Sequence, residues 1–275
     1  MPRSRCAASH LALVLGLALL AGCAASPPMA GSSTARRIAA LLPADAVLIG
    51  EQHDAPEHHV IEREAVETLV ARGRLAALTL EMAEEGNGTG HLPADASEEQ
   101  VRAALSWNDK AWPWGHYGPA VMAAVRAGVP VLGANLPRER MKDAMADVSL
   151  DAQLGDSARQ AQQQAVREGH CHLLPESQIG PMTRIQIARD RAMAQAVVKA
   201  RRPGKTVLLI AGAGHVLRSL GVPQHLPSDF KVAAVQLLAA PAAAAPDGPT
   251  SDYDSTWATP PLPRQDYCAS LRRPT

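Results

Sequence analysis

Four apolar runs constrain the fold of this chain more than any other feature of its sequence. Most of them lack the alternation of apolar and polar residues that a half-exposed strand shows. This pattern is typical of parallel strands that helices cover on both faces. The runs predict strands at residues 46–51, 75–82, 129–135 and 205–212, and a fifth strand is predicted at 231–238.

Segments with helical periodicity alternate with these strands. In residues 56–71, for example, Ile61, Ala65 and Leu69 recur on one stripe. Strand–helix alternation predicts an α/β fold, with a mainly parallel sheet of four to five strands covered by helices in a single domain. The other predicted helices are 116–128, 137–147, 151–168 and 181–201.

Residues 1–22 have the layout of a lipoprotein signal peptide. Two arginines precede an apolar run from Leu11 to Leu20 that is too short to span a membrane, and the sequence LLAGC follows. This ending resembles a bacterial lipobox, which implies cleavage before Cys23 and acylation of its sulfur. The alternative is a plain secretory peptide with a chance cysteine. Residues 23–36 are small and polar and predict a flexible tether.

The rest of the chain divides at residue 240. Residues 37–240 carry the periodic apolar segments and form the predicted domain. Residues 241–275 are rich in proline, yet they contain Tyr253, Trp257 and Tyr267. Large aromatic side chains bury much apolar surface, so we expect the tail to dock back on the domain.

Cysteine usage predicts one disulfide. Cys6 leaves with the signal peptide and Cys23 is acylated, so only Cys171 and Cys268 remain. An anchored secreted domain lies in an oxidising compartment, where two such thiols are expected to pair. The bond would close a loop of about a hundred residues and hold the tail against the domain.

Polar side chains follow three of the predicted strands. Glu51 and His53 end the first strand, Glu81 ends the second, and His215 follows the fourth. Ligands bind beyond the carboxyl ends of parallel strands, so we expect these four side chains to converge in a site. The alternative is that they only hydrogen-bond the loops.

The residues just after His53 are interpreted as a helix start. Asp54 and Glu57 have capping-box spacing, which makes them caps rather than ligands. His58 and His59 would then lie on the exposed first turn of the helix.

The segment WNDKAWPWGHYGP is a second candidate site. It holds Trp114 and two of the other three tryptophans, in a chain with only 3% aromatic residues. Such a loop suits a lid or a platform for a flat ligand, or it only packs on the domain. Haem, a flat ligand with a metal centre, needs an axial ligand, for which His116 and Tyr117 are candidates. Its carboxylates need cations, which Lys110, Arg138 and Arg140 could supply.

Composition and motifs exclude other functions. The 27 basic and 27 acidic residues balance, and no long basic run occurs, which disfavours nucleic-acid binding. The chain contains no P-loop, nucleophile elbow or complete dinucleotide-binding fingerprint.

Five blocks of sequence resemble the ChaN-type haem-binding lipoproteins. That family belongs to the Tiki superfamily, together with TraB-like proteins and erythromycin esterases. The similarity spans residues 45–240, and the ending DYDSTWATPPLPRQDYC also looks like that of the family. The blocks are LIGEQHD, LTLEM, WPWGHYGPAVMAAVRAGVPVLGANLPRE, EGHCHLLPESQIGPMTRIQIARDRAMA and LLIAGAGHVLRSLGVPQHL.

The resemblance implies a haem-binding lipoprotein of the outer membrane, with its domain in the periplasm and a role in haem or iron uptake. It further implies a homodimer around two stacked haems, with tyrosine as the iron ligand and a histidine nearby. Tyr117 matches that tyrosine, and the candidate histidines are His116, His170 and His172. Trp114 would contribute to the haem pocket.

The wider superfamily implies a different chemistry at the strand ends. There, two G-x-x-H motifs and a glutamate form a metal or hydrolytic site, which Glu51, His53, Glu81 and His215 match. Two imidazoles and two carboxylates suit a divalent transition metal, whose bound water could attack an ester or amide. Arg184 and Arg189 could stabilise an anion from a nearby helix. The alternative function is therefore a metal-dependent envelope hydrolase, an esterase or peptidase, and a third is a structural lipoprotein without an active site.

Overall fold

A parallel β-sheet forms the centre of the domain. The computed structural model describes residues 1, 33–240, 252–269 and 272. The chain divides into the units Met1–Gly31 and Ser32–Thr275, and the sheet belongs to the second. Its strands are β1 (Ala46–Glu51), β2 (Leu75–Glu84), β3 (Val131–Asn135), β4 (Thr206–Gly212), β5 (Val232–Ala239) and β6 (Ser255–Thr259). Their order is β3-β2-β4-β1-β5-β6, and all five pairs of neighbours are parallel.

Helices cover this sheet, as the strand–helix alternation predicts. The predicted α/β fold class is therefore confirmed, with one strand more than expected. The α-helices are α1 (Ser33–Ala40), α2 (Pro56–Ala71), α3 (Glu98–Ala104), α4 (Trp114–Arg126), α5 (Met141–Ala146), α6 (Asp156–Gly169) and α7 (Glu176–Ala200). Short 3-10 helices lie at Arg138–Arg140, Val148–Gln153, Ala213–Val216 and Val222–His225.

The central strands are buried on both faces. Every residue of β1 and β4 is buried, which explains why these runs show no alternation of apolar and polar residues. On one face, Ile49 and Ile210 belong to a core shared with α2 and α4. On the other face, Leu48 and Leu209 belong to a core shared with Met193 of α7.

The N-terminal predictions fall largely on residues that the structure does not describe. The predicted signal peptide beyond Met1, the acylated Cys23 and most of the tether lie outside the described residues. The tether was predicted to extend to residue 36, but helix α1 already begins at Ser33. Among the described residues, no helix has both the length and the apolar character needed to cross a membrane.

The tail adds strand β6 to the edge of the sheet. Its five residues pair with the second half of β5, from Val235 opposite Ser255 to Ala239 opposite Thr259. Trp257 is 3% exposed and packs into the core on the α2 side. The short strand was not predicted, because only its central tryptophan is a large apolar residue.

The predicted disulfide is present. Cys171, just after α6, bonds to Cys268 in the tail, with 5.7 Å between the two Cα atoms. Beside it, the hydroxyl of Tyr267 donates to Oδ2 of Asp54 at 2.6 Å. The tail therefore connects the turn after α6 to the loop that follows β1.

Candidate functional site

The carboxyl ends of β1, β4 and β2 bring a set of buried carboxylates and imidazoles to one edge of the sheet. Glu51 at the end of β1 is 2% exposed, and its Oε1 accepts a hydrogen bond from Nδ1 of His53 at 2.8 Å. A Cβ atom on Gly212 would lie 3.0 Å from Nε2 of His53, so a glycine at the end of β4 leaves room for this ring. His53 is the accessible member of the set, with a side chain 40% exposed.

A three-member charge cluster lies behind His53. Nδ1 of His215 lies 2.6 Å from Oδ1 of Asp190, and its Nε2 lies 3.5 Å from Oε1 of Glu81. The other oxygen of Glu81 accepts the backbone N–H of Gly212 at 2.7 Å. Asp190 and Glu81 are 2% and 5% exposed, so both carboxylates depend on His215 for compensation of their charge.

The pKa values of this cluster follow from burial and mutual attraction. Burial acts to lower the pKa of His215, but the charges of Glu81 and Asp190 outweigh it and raise that pKa to about 10. Burial acts to raise the pKa of Glu81, yet the charge of His215 lowers it to about 2. Burial raises the pKa of Asp190 to about 6 even though His215 opposes this shift. His215 therefore carries a proton on each nitrogen at neutral pH.

A second group of acidic side chains joins β1 to α2. Nδ1 of His59 lies 3.3 Å from Oε2 of Glu51 and 3.3 Å from Oε2 of Glu62. Glu62 is completely buried, and burial together with the charge of Glu51 raises its pKa well above the ordinary value. Oε2 of Glu51 and Oε1 of Glu62 are buried without a hydrogen-bond partner.

The predicted aromatic segment forms a wall beside these groups. The rings of Trp112 and His53 meet edge to face at 4.8 Å, and the ring of His116 stacks on His59 at 4.6 Å. Tyr117 is only 1% exposed, and its hydroxyl donates to Oε1 of Glu51 at 2.9 Å. Burial and the charge of Glu51 raise the pKa of Tyr117 above its ordinary value, so its phenol stays protonated. In contrast, His116 is exposed.

The four residues predicted to form a site, Glu51, His53, Glu81 and His215, reach one edge of the sheet. Glu51 contacts His53, and Glu81 contacts His215. The two pairs are adjacent, because a Cβ atom on Gly212 would lie 3.0 Å from Nε2 of His53 and 3.5 Å from Oε2 of Glu81. Among the described residues, one group of three or more potential ligands has its atoms within 4.8 Å of each other, namely Glu51, His59 and Glu62. Of these three residues, only Glu51 belongs to the site predicted from the strand ends.

The prediction that His58 and His59 are exposed is wrong. They are 0% and 7% exposed, because β6 contacts His58, whereas the rings of His116 and Tyr117 cover His59. Nδ1 of His58 accepts the backbone N–H of Gln52, and its Nε2 contacts Oγ1 of Thr259 in β6 at 2.9 Å. Burial lowers the pKa of His58 to about 4, so it is a neutral structural histidine.

The predicted capping box before α2 is also absent. The residue that precedes the helix is Ala55, which makes no side-chain cap, and Pro56 occupies the first turn. Asp54 instead accepts the hydroxyl of Tyr267 from the tail.

The two arginines predicted beside the site have different environments. Arg184 forms a bidentate ion pair with Asp151 and also donates to the carbonyl of Met145. Arg189 neighbours Asp190 in α7, and its Nε is buried without a hydrogen-bond partner. Of the two, only Arg189 contributes to the electrostatics of the cluster, since its charge acts to lower the pKa of Asp190.

The histidines that flank Cys171 lie in the turn after α6. His170 is half-buried and contacts the carbonyl of Val166 through Nδ1, whereas His172 is exposed. The disulfide to Cys268 ties this turn to the tail.

The fold and this edge define a class of protein: an α/β domain with ionisable groups at the strand ends and an aromatic wall with an exposed imidazole. The chain belongs to the family described as haem-binding uptake, Tiki superfamily, ChaN, whose model matches residues 37–226. No curated protein matches the chain significantly.

Two solved structures are similar to the chain. One describes cofacial haem binding to ChaN of Campylobacter jejuni, with 24% identity and a TM-score of 0.64 over 80% of this chain and 89% of that chain. At this identity the likeness shows a shared fold. The other is the type III effector HopBA1, with 17% identity and a TM-score of 0.44 over 86% of this chain and 96% of that chain.

Proposed function

We propose that this protein is a membrane-anchored haem-binding lipoprotein that serves haem or iron uptake. The observation that carries the proposal is the family match over residues 37–226, which covers all of the sheet except β5 and β6. The similarity in fold to ChaN of Campylobacter jejuni, which binds haem cofacially, supports it.

The aromatic wall is the surface that suits haem. Trp112 and Trp114 are half-buried, and the imidazole of His116 is exposed beside them, so an apolar platform and an iron ligand occur together. Lys110 is an exposed cation in the aromatic segment, and Arg138 is an exposed cation in the 3-10 helix that follows β3; both could meet the haem carboxylates. The donor set of this surface therefore fits haem, which would supply the iron that is bound or delivered.

Two residues compete for the role of iron ligand. The resemblance implies Tyr117, but its phenol is buried and hydrogen-bonded to Glu51, so it would have to leave that bond to reach iron. His116 already faces solvent and stacks on His59. We therefore propose His116 as the ligand that haem meets first, with Tyr117 as the ligand only if the helix start rearranges.

A haemin titration of the purified protein tests this proposal. We expect haem binding with a shifted Soret band, and at least about tenfold weaker affinity for His116→Ala, since a ligand to iron is lost. His91→Ala is the matched control, because His91 is also exposed but lies outside the aromatic wall. Loss of a charge-transfer band in Tyr117→Phe, with an unchanged His116→Ala, would reassign the ligand to Tyr117. A wild-type protein without saturable haem binding would refute the proposal.

Membrane attachment and assembly are separate parts of the proposal. Acylation of Cys23 would anchor the chain to the outer membrane, with the domain in the periplasm. Metabolic labelling with palmitate and fractionation of wild type and Cys23→Ser would test this.

An exposed aromatic wall that binds one face of a haem leaves the other face open, so we also propose a dimer around two stacked haems. Light scattering with and without haemin would detect it.

The alternative function is a metal-dependent envelope hydrolase, and the contacts of its predicted metal ligands in the structure disfavour it. Nδ1 of His215 pairs with Asp190 and its Nε2 pairs with Glu81, so both ring nitrogens already contact a carboxylate. A metal ion shared by Glu51, His53, Glu81 and His215 would have to displace these contacts. The observation that still favours hydrolysis is the contact of the accessible His53 with Glu51. This contact orients the imidazole so that His53 could act as a general base. Turnover of a nitrophenyl ester that disappears in His53→Ala would support it.

A further inference from the structure

The contacts of His59 fix where its lone pair points. Its Nε2 lies 3.2 Å from the backbone carbonyl oxygen of His53, which can only accept a hydrogen bond. The proton of the neutral ring therefore belongs on Nε2, and Nδ1 carries the lone pair. This backbone contact is the arrangement that commonly orients a histidine ligand toward a metal ion.

The lone pair of His59 faces two carboxylates. Oε2 of Glu51 and Oε2 of Glu62 each lie 3.3 Å from Nδ1. Oε2 of Glu51 and the other oxygen of Glu62, Oε1, have no hydrogen-bond donor. Three acceptor groups thus converge in a region with almost no solvent access, since the three residues are 7%, 2% and 0% exposed. Buried acceptors without a donor are costly, and a cation between them removes that cost.

The spacing of these atoms suits a transition-metal ion. Two ligands with bonds of about 2.1 Å at a tetrahedral angle lie about 3.4 Å apart. Both separations from Nδ1 are 3.3 Å, and all of the potential ligand atoms lie within 4.8 Å of one another. Burial and the charge of Glu51 favour a protonated Glu62, so an ion would displace that proton and leave two carboxylates that supply the negative charge it needs.

His53 and Tyr117 hold the carboxyl group of Glu51 in position through Oε1 and leave Oε2 without a hydrogen bond. Oε1 of Glu51 accepts hydrogen bonds from both His53 and Tyr117, at 2.8 and 2.9 Å. Oε2 stays directed at His59 and accepts none. On the side that faces solvent, the exposed His116 stacks on His59. The cluster of Glu51, His59 and Glu62 therefore lies one side chain below the surface.

We propose that Glu51, His59 and Glu62 form a binding site for one divalent transition-metal ion, such as Zn²⁺ or Mn²⁺. The site lies directly behind the proposed haem surface, through the contacts of His59 with His116 and of Glu51 with Tyr117, and it goes beyond the proposed function. One nitrogen and carboxylate oxygens as ligands favour these ions over Ca²⁺, which takes oxygen ligands only. The competing occupant is a proton shared by the two carboxyl groups.

Calorimetric titration of haem-free, chelator-treated protein with Zn²⁺ or Mn²⁺ alone tests the site. We expect about one ion per chain and a loss of at least about 100-fold in affinity for Glu62→Gln, since removal of a direct ligand exceeds the 10–100-fold cost of losing an outer partner. Glu57→Gln is the matched control, because Glu57 lies on the same helix but is exposed. Its affinity should equal that of wild type.

Imidazole ¹⁵N NMR of the wild type gives a test that does not depend on the folding of a variant. Zn²⁺ should shift Nδ1 of His59 and leave its Nε2–H in place. Haemin titration of Glu62→Gln should stay at the wild-type value, which separates this site from the haem surface. A wild type that binds neither ion at one equivalent, or a Glu62→Gln variant with wild-type affinity, would overturn the proposal in favour of the shared proton.

Discussion

The charge cluster behind His53 makes a strong prediction about stability. Asp190→Asn keeps the shape of the side chain but removes one of the two carboxylates that compensate His215, at a bond of 2.6 Å and an exposure of 2%. His215 keeps Glu81 as a partner in the variant, so the cost is smaller than that of a buried charge left without any partner, and we expect about 1–3 kcal/mol of unfolding free energy for the weakened charged hydrogen bond. For a domain of this size, that cost lowers Tm by about 2–12 °C.

The unfolding free energy of wild type and variant should depend differently on pH. Burial acts to lower the pKa of His215, but Glu81 and Asp190 raise it to about 10, from 6.5 in the unfolded chain. Between these values the folded state keeps a proton that the unfolded chain releases. The resulting stabilisation is complete below pH 6.5 and is lost as pH rises through about 10, by at most about 1.4 kcal/mol per pH unit. The variant holds this proton less tightly, so its deficit should shrink at high pH.

Urea unfolding followed by tryptophan fluorescence measures both effects. We expect the variant to be about 1–3 kcal/mol less stable at pH 7, with a smaller deficit at pH 9.5. Asp143→Asn, an exposed aspartate of α5, should change stability by no more than about 0.5 kcal/mol. A deficit below about 1 kcal/mol at pH 7, or an equal deficit at both pH values, would refute the argument.

Three further predictions concern the tail and the end of β4. Cys268→Ser should lower the unfolding free energy by up to about 4.7 kcal/mol through the lost loop closure, and oxidised wild type should lose the same amount on reduction. Trp257→Ala should cost about 3–5 kcal/mol in urea unfolding, because a buried ring leaves a cavity; a cost under about 1 kcal/mol would show that β6 does not stabilise the sheet. Gly212→Ala should cost about 1–3 kcal/mol and displace His53, which NMR would detect, whereas Gly214→Ala, with open space around its Cβ, should do neither.

The strands of the sheet could be predicted from the sequence because each strand is marked by its own apolar run. Strands that are buried on both faces need mostly apolar runs, and β1 to β4 have them, while β5 is apolar except for Gln236. The helix α7 was predicted to begin at residue 181, but it begins at Glu176, because Pro181 is accommodated inside the helix. Local propensity places helix boundaries less reliably than it places helices.

The candidate site was predictable only in part. The strand ends identified Glu51, His53, Glu81 and His215, since topology alone brings strand ends together. Their partners on helices were missed, because burial of a helix face depends on what packs against it. A signal existed for Glu62, which extends the apolar stripe of Ala65 and Leu69 by one turn toward the N-terminus.

The same signal would have revealed Asp190. It lies three residues after Ile187 and four before Ala194, both buried, and thus falls on the buried face of α7. Its flanking arginines made the segment resemble an exposed charged surface. A charged residue in phase with an apolar stripe is therefore a better indicator of a buried site than a cluster of charges.

The strand order has a consequence for how the chain reaches its native state. The central strand β1 is made first, yet its two neighbours are β4 and β5, which begin at residues 206 and 232. Until they are synthesised, the six buried residues of β1 have no backbone partners, and β2 and β3 lack the strand that would join them to β1. Pairing across so many residues carries a high loop-closure entropy and slows folding. The first half of the domain therefore lacks the central pairings of its sheet until the chain is nearly complete, and its apolar strands are open to non-native association during that interval.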